Sequence, residues 1–287
     1  MKVNLECVLC HQRQSLRIIR TISDSPQVHE RALREVIAHL SEAPWDTDPM
    51  TMVTGVYKIL NRITGDPDPY NIKKRQSNEE VLRLYPDLQQ QIRDSEDPLF
   101  TACKFAVAGN IMDFSIKEHV NIQETLQQVL NMDFAINHYP AFKAAAEKAS
   151  SLLLFADNAG EIVFDRLLID TIQDHHALDT ITLVVKEIPI LNDATPEDVK
   201  QVGLTDYANV CILTVNGWNN GQAHAAWMHP EAQSLIQRHD LAISKGQANY
   251  EIMNELRGLF LLLMAKCETV GNDTGTYNGA LILKYNA

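Results

Sequence analysis

From residue 151 onward, five short apolar runs alternate with helical patterns, and this alternation restricts the fold more than any other feature of the chain. The runs occupy 151–156, 180–185, 209–215, 241–244 and 259–263, with helical spacing at 161–174, 196–202, 230–239 and 249–256 between them. A strand buried on both faces reads as a continuous apolar run, and its parallel neighbour is reached through a crossover, usually a helix. The pattern predicts an α/β fold with a mostly parallel sheet covered on both faces. The first 150 residues read as helix instead: Leu33, Val36, Ile37 and Leu40 recur at helical spacing, and Gly65-Asp66-Pro67-Asp68-Pro69-Tyr70 is a proline-stiffened loop. The expected organisation is a helical N-terminal subdomain over 1–108 and an α/β catalytic core over 109–287.

In open α/β sheets, ligands bind beyond the carboxyl ends of the strands. The residues that follow each run are therefore the informative ones. After the first run comes Asp157-Asn158-Ala159-Gly160-Glu161, and after the second a segment ending Asn192-Asp193-Ala194-Thr195. After the third comes Asn216-Gly217-Trp218-Asn219-Asn220-Gly221, and after the fourth Lys245-Gly246-Gln247-Ala248-Asn249. Hard divalent cations prefer carboxylate, carbonyl and water oxygens. Asp157, Asn158 and Asp193 offer such a set and leave positions for water and substrate. Gly160 opens a helix whose N–H groups suit an anion, and Glu161 lies in its first turn. Lys245 can bring a point charge to a phosphate, and Gly217 lets backbone approach a ligand.

Each feature also has a structural reading. Asp157-Asn158 is a common turn and cap pair. Asn192-Asp193 can be a turn, although Thr195 and Pro196 already start the next helix. Gly109 and Asn110 can end one helix and cap the next, or Asn110 and Asp113 can face the cleft between the two parts. Cys7-Val8-Leu9-Cys10 is half of a zinc site or, in the reading we favour, two thiols packed at a helix start. His175, His176, His224 and His229 read as surface histidines.

A net charge of -12 over 287 residues disfavours nucleic acid and anionic membranes as partners. It also means that a site for a phosphorylated substrate must carry local positive charge or a cation. The longest uninterrupted apolar stretch, 259–265, is far shorter than the roughly 18–20 residues that cross a bilayer. Five cysteines without a signal-peptide core predict a cytoplasmic protein with reduced thiols.

Together these segments resemble the DUF89 family of damage-control phosphatases, in particular its prokaryotic-type group with an N-terminal CxxC. The resemblance is carried by Cys7-Val8-Leu9-Cys10, Gly109-Asn110-Ile111-Met112-Asp113, the segment from Asp157 to Asp165, Pro189-Ile190-Leu191-Asn192-Asp193-Ala194-Thr195, the segment from Lys245 to Glu251, and Ala265-Lys266-Cys267. It implies a three-layer α/β/α core with a helical N-terminal part. It implies a divalent metal (Mn²⁺, Co²⁺, Ni²⁺ or Mg²⁺) on Asp157, Asn158 and Asp193. Lys245 and Asn249 would face the substrate phosphate, with Asn216, Gly217 and Gly221 nearby. Ala248 departs from the pattern, where glycine is more usual. The implied activity is metal-dependent hydrolysis of phosphomonoesters of small, damaged or side-product metabolites such as sugar phosphates. Two other classes are weighed against it. One is a carboxyl methyltransferase using S-adenosylmethionine, disfavoured because the turn after the first run has a single glycine. The other is a non-catalytic metal- or metabolite-binding protein.

Overall fold

The computed structural model describes residues 1–111, 122–207, 209–215 and 230–287. Among them, seven strands form one sheet in the order β1-β7-β6-β5-β2-β3-β4. The strands are β1 (Phe134–Asn137), β2 (Ser151–Phe155), β3 (Thr180–Lys186), β4 (Val210–Val215), β5 (Leu241–Lys245), β6 (Leu259–Met264) and β7 (Leu281–Asn286). All five strands expected from the apolar runs are present, and from β6 to β4 every neighbouring pair is parallel. The additions are β7, antiparallel to β6, and the short β1, parallel to β7 at the edge.

Alternation along β2 shows how the sheet is covered. Leu152 and Leu154 point into one apolar cluster, and Leu153 and Phe155 into another on the opposite face, as the two-residue period of a strand requires. On the first face lie α4 (Asn71–Arg93), α5 (Pro98–Ile111), α6 (Ile122–Leu130), α7 (Tyr139–Ala146), α8 (Glu161–His175) and α9 (Pro196–Gln201). On the other lie α10 (Pro230–Gln237), α11 (Gln247–Met253) and α12 (Glu268–Thr274). This is the expected three-layer α/β/α core.

The N-terminal helices α1 (Leu5–Ile22), α2 (Pro26–Glu42) and α3 (Pro49–Thr64) have a third apolar cluster of their own, centred on Ile18, Val36, Val56 and Leu60. Local chemistry sets their ends. The Asn4 side chain accepts from the Cys7 amide at 3.1 Å. Asp48 caps α3 on the Thr51 amide at 2.8 Å, with Pro49 in its first turn. The expected division at 108/109 falls inside α5, and α4 and α5 share the sheet's core rather than that of α1–α3. Gly109 and Asn110 likewise sit within α5, not at a break between helices. No helix among the described residues is long and apolar enough to cross a membrane.

Strand order places the site. From β2 the chain moves outward to β3 and β4, then returns to lay β5 against the other side of β2. The connections leaving β2 and β5 therefore diverge, which opens a crevice at their carboxyl ends.

Candidate active site

Asp157 follows β2, and the turn bearing Asp193 follows β3. Backbone bonds join the two loops: the Ala194 amide donates to the Asp157 carbonyl at 2.8 Å, and the Ala159 amide to Asn192 at 2.8 Å. Asn158 and Asp193 pair as an isolated antiparallel bridge. Both acidic residues are buried, at 6% exposure each, as is Asn158. Burial, with the charges of Glu161 and Asp193, holds the Asp157 carboxyl well above the usual carboxylate range, against the opposing pull of Lys266 and Lys186. Lys186 at the end of β3 reaches Asp193 only at 3.9 Å.

Behind Asp157 lies a second layer of buried polar groups. Asn110 of α5 donates through Nδ2 to Asp157 Oδ2 at 2.8 Å and to Glu161 Oε2 at 3.0 Å. Asn158 Nδ2 donates to the same two oxygens, at 2.8 and 3.2 Å. Glu161 and Asp165 are one helical turn apart on α8, so both face β5. There Lys245 Nζ donates to Glu161 Oε1 at 2.9 Å, Asp165 Oδ1 at 2.5 Å and the Ala106 carbonyl at 2.9 Å. Burial works against the ammonium, but Asp165 and Glu161 hold its pKa above the ordinary lysine value. Burial pushes the Asp165 carboxyl up to about 7, with Lys245 pulling the other way.

Two glycines make room for this packing. A Cβ at Gly109 would lie 2.8 Å from Phe164 and 3.2 Å from the Glu161 Cα, so this glycine lets α5 lie close against α8. At Gly246, where φ is +80°, a Cβ would lie 1.7 Å from Asp157 Oδ2. Gly246→Ala is therefore expected to push the Asp157 carboxylate aside and to lower kcat/KM by tenfold or more, while the sheet stays folded. Steady-state kinetics with circular dichroism checks both; a wild-type rate would show that the loop yields instead of the carboxylate.

Several expected ligand contacts take another form. Lys245, expected as a charge facing the phosphate, is fully buried with its three N–H donors directed at protein oxygens. Asn249 uses its amide to tie the Ala156 and Lys245 carbonyls together, at 3.0 and 2.9 Å. The Gly160 amide, expected at an anion, donates to Asn78 Oδ1 of α4 at 2.6 Å. Asn78 also reaches Asp198 at 2.9 Å and Gln201 at 2.8 Å. It is a residue that sequence reasoning passed over, as it did the bracing role of Asp165, although the four-residue spacing from Glu161 was a readable signal for the latter. Asp113, Asn216, Gly217, Gly221, His224 and His229 lie outside the described residues.

Cys7 and Cys10 share a face of α1, half-buried and exposed, and burial raises both thiols. Among the described residues no group of three or more His, Cys, Asp or Glu side chains is arranged to hold a metal. Cys267 and Glu251 lie near enough for their charges to act on both thiols. The set at the crevice differs in kind: two carboxylates and one carboxamide. The Asn158 nitrogen is spent on carboxylates, which leaves its carbonyl oxygen as a donor. Carboxylates crowded in a buried site, with Asp157 raised by burial and then by its acidic neighbours, have the chemistry that a hard cation relieves. The residues fit the group.

The fold and the crevice define an α/β enzyme with buried carboxylates at the switch point of a parallel sheet. The damage-control phosphatase ARMT1-like domain matches residues 3–282, and the chain belongs to that family. It is 28% identical to the damage-control phosphatase PH1575 of Pyrococcus horikoshii, over all of this chain and 99% of that one. It is 27% identical to a damage-control phosphatase of Archaeoglobus fulgidus, over 99% of each. It is 30% identical to the uncharacterized protein MJ0202 of Methanocaldococcus jannaschii, over 99% of this chain and 95% of that one. The crystal structure of the DUF89 family protein from Pyrococcus horikoshii superposes with a TM-score of 0.85 at 27% identity, covering 100% of both chains. The chain is thus a phosphatase of this family, and the family implies a divalent metal.

Proposed function

We propose that the chain hydrolyses phosphomonoesters of small metabolites, with a divalent cation held by Asp157, Asn158 and Asp193. The observation that carries this reading is the joining of two loops, from β2 and β3, that brings two buried carboxylates and a carboxamide to the crevice. When bound, the cation polarises a phosphoryl oxygen and offsets charge that builds on it. The protein's own part is positioning and fixed electrostatics, on which phosphoryl transfer chiefly draws. Asp157 orients the attacking water. Asn110 and Asn158 hold the Asp157 carboxylate by one oxygen. Glu161 is braced by Lys245 and in turn holds both amides in place. Among the described residues, Lys186 and Lys266, whose charges act on Asp157, are cations placed to offset substrate charge at the rim. Lys245 and Asn249 serve the phosphate indirectly, by setting these groups and loops.

The all-oxygen donor set favours Mg²⁺ and Mn²⁺, with Co²⁺ and Ni²⁺ as further activators. Sugar phosphates are the substrate class we favour. The five free cysteines support a reducing, cytoplasmic setting. Treatment with EDTA followed by gel filtration is expected to abolish phosphate release from sugar phosphates and p-nitrophenyl phosphate, and Mn²⁺, Co²⁺, Ni²⁺ or Mg²⁺ to restore it. Turnover that survives metal removal would overturn the reading.

A further inference from the structure

The turn that carries Asp193 is held from outside the catalytic layers. Ile190 belongs to the apolar cluster of α1–α3 and Leu191 packs against it; with Pro189 they line a small cavity shared with Ile18, Tyr57, Leu60 and the 67–70 loop. Ile190 is 2% exposed, and the cavity left at this contact is about 10 Å³, no more than one water occupies. The contact is therefore closely packed. Leu191 adopts φ +50°, the only non-glycine residue with positive φ among those described. Leucine seldom takes this conformation, because its Cβ crowds the backbone. Such a conformation persists only where surrounding contacts over-determine it, and here they are the turn's own hydrogen bonds together with the N-terminal helices and the 67–70 loop. The strained residue stands two positions before Asp193. The Asp193 amide closes the turn on the Ile190 carbonyl at 3.0 Å, and the next amide, Ala194, is bonded to the Asp157 carbonyl. The apolar anchor and the carboxylate thus belong to one short, hydrogen-bonded turn.

We propose that the α1–α3 layer sets the metal affinity of the site by clamping the Asp193 turn through Ile190 and Leu191; this rests on the metal reading given above. Leu191 is a positioning residue. It touches no substrate, and it acts by fixing where the Asp193 carboxylate stands relative to Asp157. Without the clamp, the turn relaxes out of its strained form, and the two carboxylates meet a cation only after being reordered.

The test is Mn²⁺ binding to the full-length protein, followed by the electron paramagnetic resonance signal of free Mn²⁺. Leu191→Ala is the main variant. Alanine keeps the cost of a positive φ but lacks the apolar body that holds it. Its affinity for Mn²⁺ is expected to fall roughly tenfold to a hundredfold, the range seen when supports of a metal ligand are lost. Leu191→Met keeps the apolar body and is expected to stay within about threefold of wild type, the fall in the alanine variant being the measure. Leu60→Ala, on the helical side of the contact, is expected to weaken binding in the same direction. Wild-type affinity in Leu191→Ala overturns the proposal, whatever its melting temperature. So does a loss in Leu191→Met as large as in Leu191→Ala, which would show that the apolar body is not what holds the turn. If the wild-type protein takes up no Mn²⁺, the metal reading itself fails and the clamp has nothing to position.

Discussion

Asp157→Asn and Asp193→Asn are each expected to lower kcat/KM for phosphomonoesters by roughly a hundredfold or more, the order lost when one preorganised charge is removed from a catalytic centre, without lowering the melting temperature. Both halves of this expectation come from the same feature. The site holds two carboxylates in a buried place where they repel each other, and Asp157 is pushed up by its burial and by Glu161 and Asp193. A neutral amide of the same shape removes that repulsion, which offsets what is lost in the hydrogen bonds to Asp157 and in the Lys186–Asp193 pair. Function loses a negative charge that the proposed metal reading assigns to the cation. Enzymes often hold such groups at a cost in stability. The measurement is steady-state kinetics across metal concentrations, paired with thermal unfolding. Wild-type rates in both variants would remove these residues from the site. A large drop in melting temperature with either would recast them as structural.

Lys245→Met is expected to destabilise the protein by about 3–5 kcal/mol, the range for breaking a buried ion pair from one side. That corresponds to a fall in melting temperature on the order of ten degrees. The ammonium is wholly buried and answers two carboxylates, Glu161 and Asp165, at 0% and 1% side-chain exposure. Removing it leaves both without a cation. The deficit should also depend on pH. Asp165 already titrates at about 7, above its unfolded value, so the folded state binds this proton more tightly. Stability from such a group is present at low pH and is lost as pH rises through the folded pKa. Without Lys245 the folded pKa climbs further, and the variant should fall further behind wild type at pH 8 than at pH 5. Adding Asp165→Asn to Lys245→Met should recover part of the loss at pH 8. A Lys245→Met protein that melts with wild type at both pH values would show the trio to be energetically idle.

These cases separate two kinds of information in the chain. The five parallel strands were legible because a strand covered on both faces must be apolar throughout its length. The helices between them carry their own period. β1 and β7 were not. Four residues, FAIN, are too short to show a period, and β7 pairs with β6 only because the chain doubles back at its end. The metal-ligating candidates were legible through their placement after consecutive runs, because strand ends converge in any sheet of this type.

What the amino-acid sequence determined by itself was the class of fold and the placing of carboxylate and carboxamide side chains at its strand ends, both of which follow from short-range patterns. Tertiary structure decided what those side chains lean on. Lys245 finds the Ala106 carbonyl 139 residues away, and Asn78 finds the Gly160 amide 82 residues away. A lysine beside a glycine looks the same in sequence whether it faces solvent or a buried pair of acids. The strain at Leu191 is likewise invisible until α1–α3 close over the turn. Periodicity is a property of neighbours along the chain, whereas charge pairing, desolvation and steric exclusion depend on which distant residues the fold brings within a few ångströms.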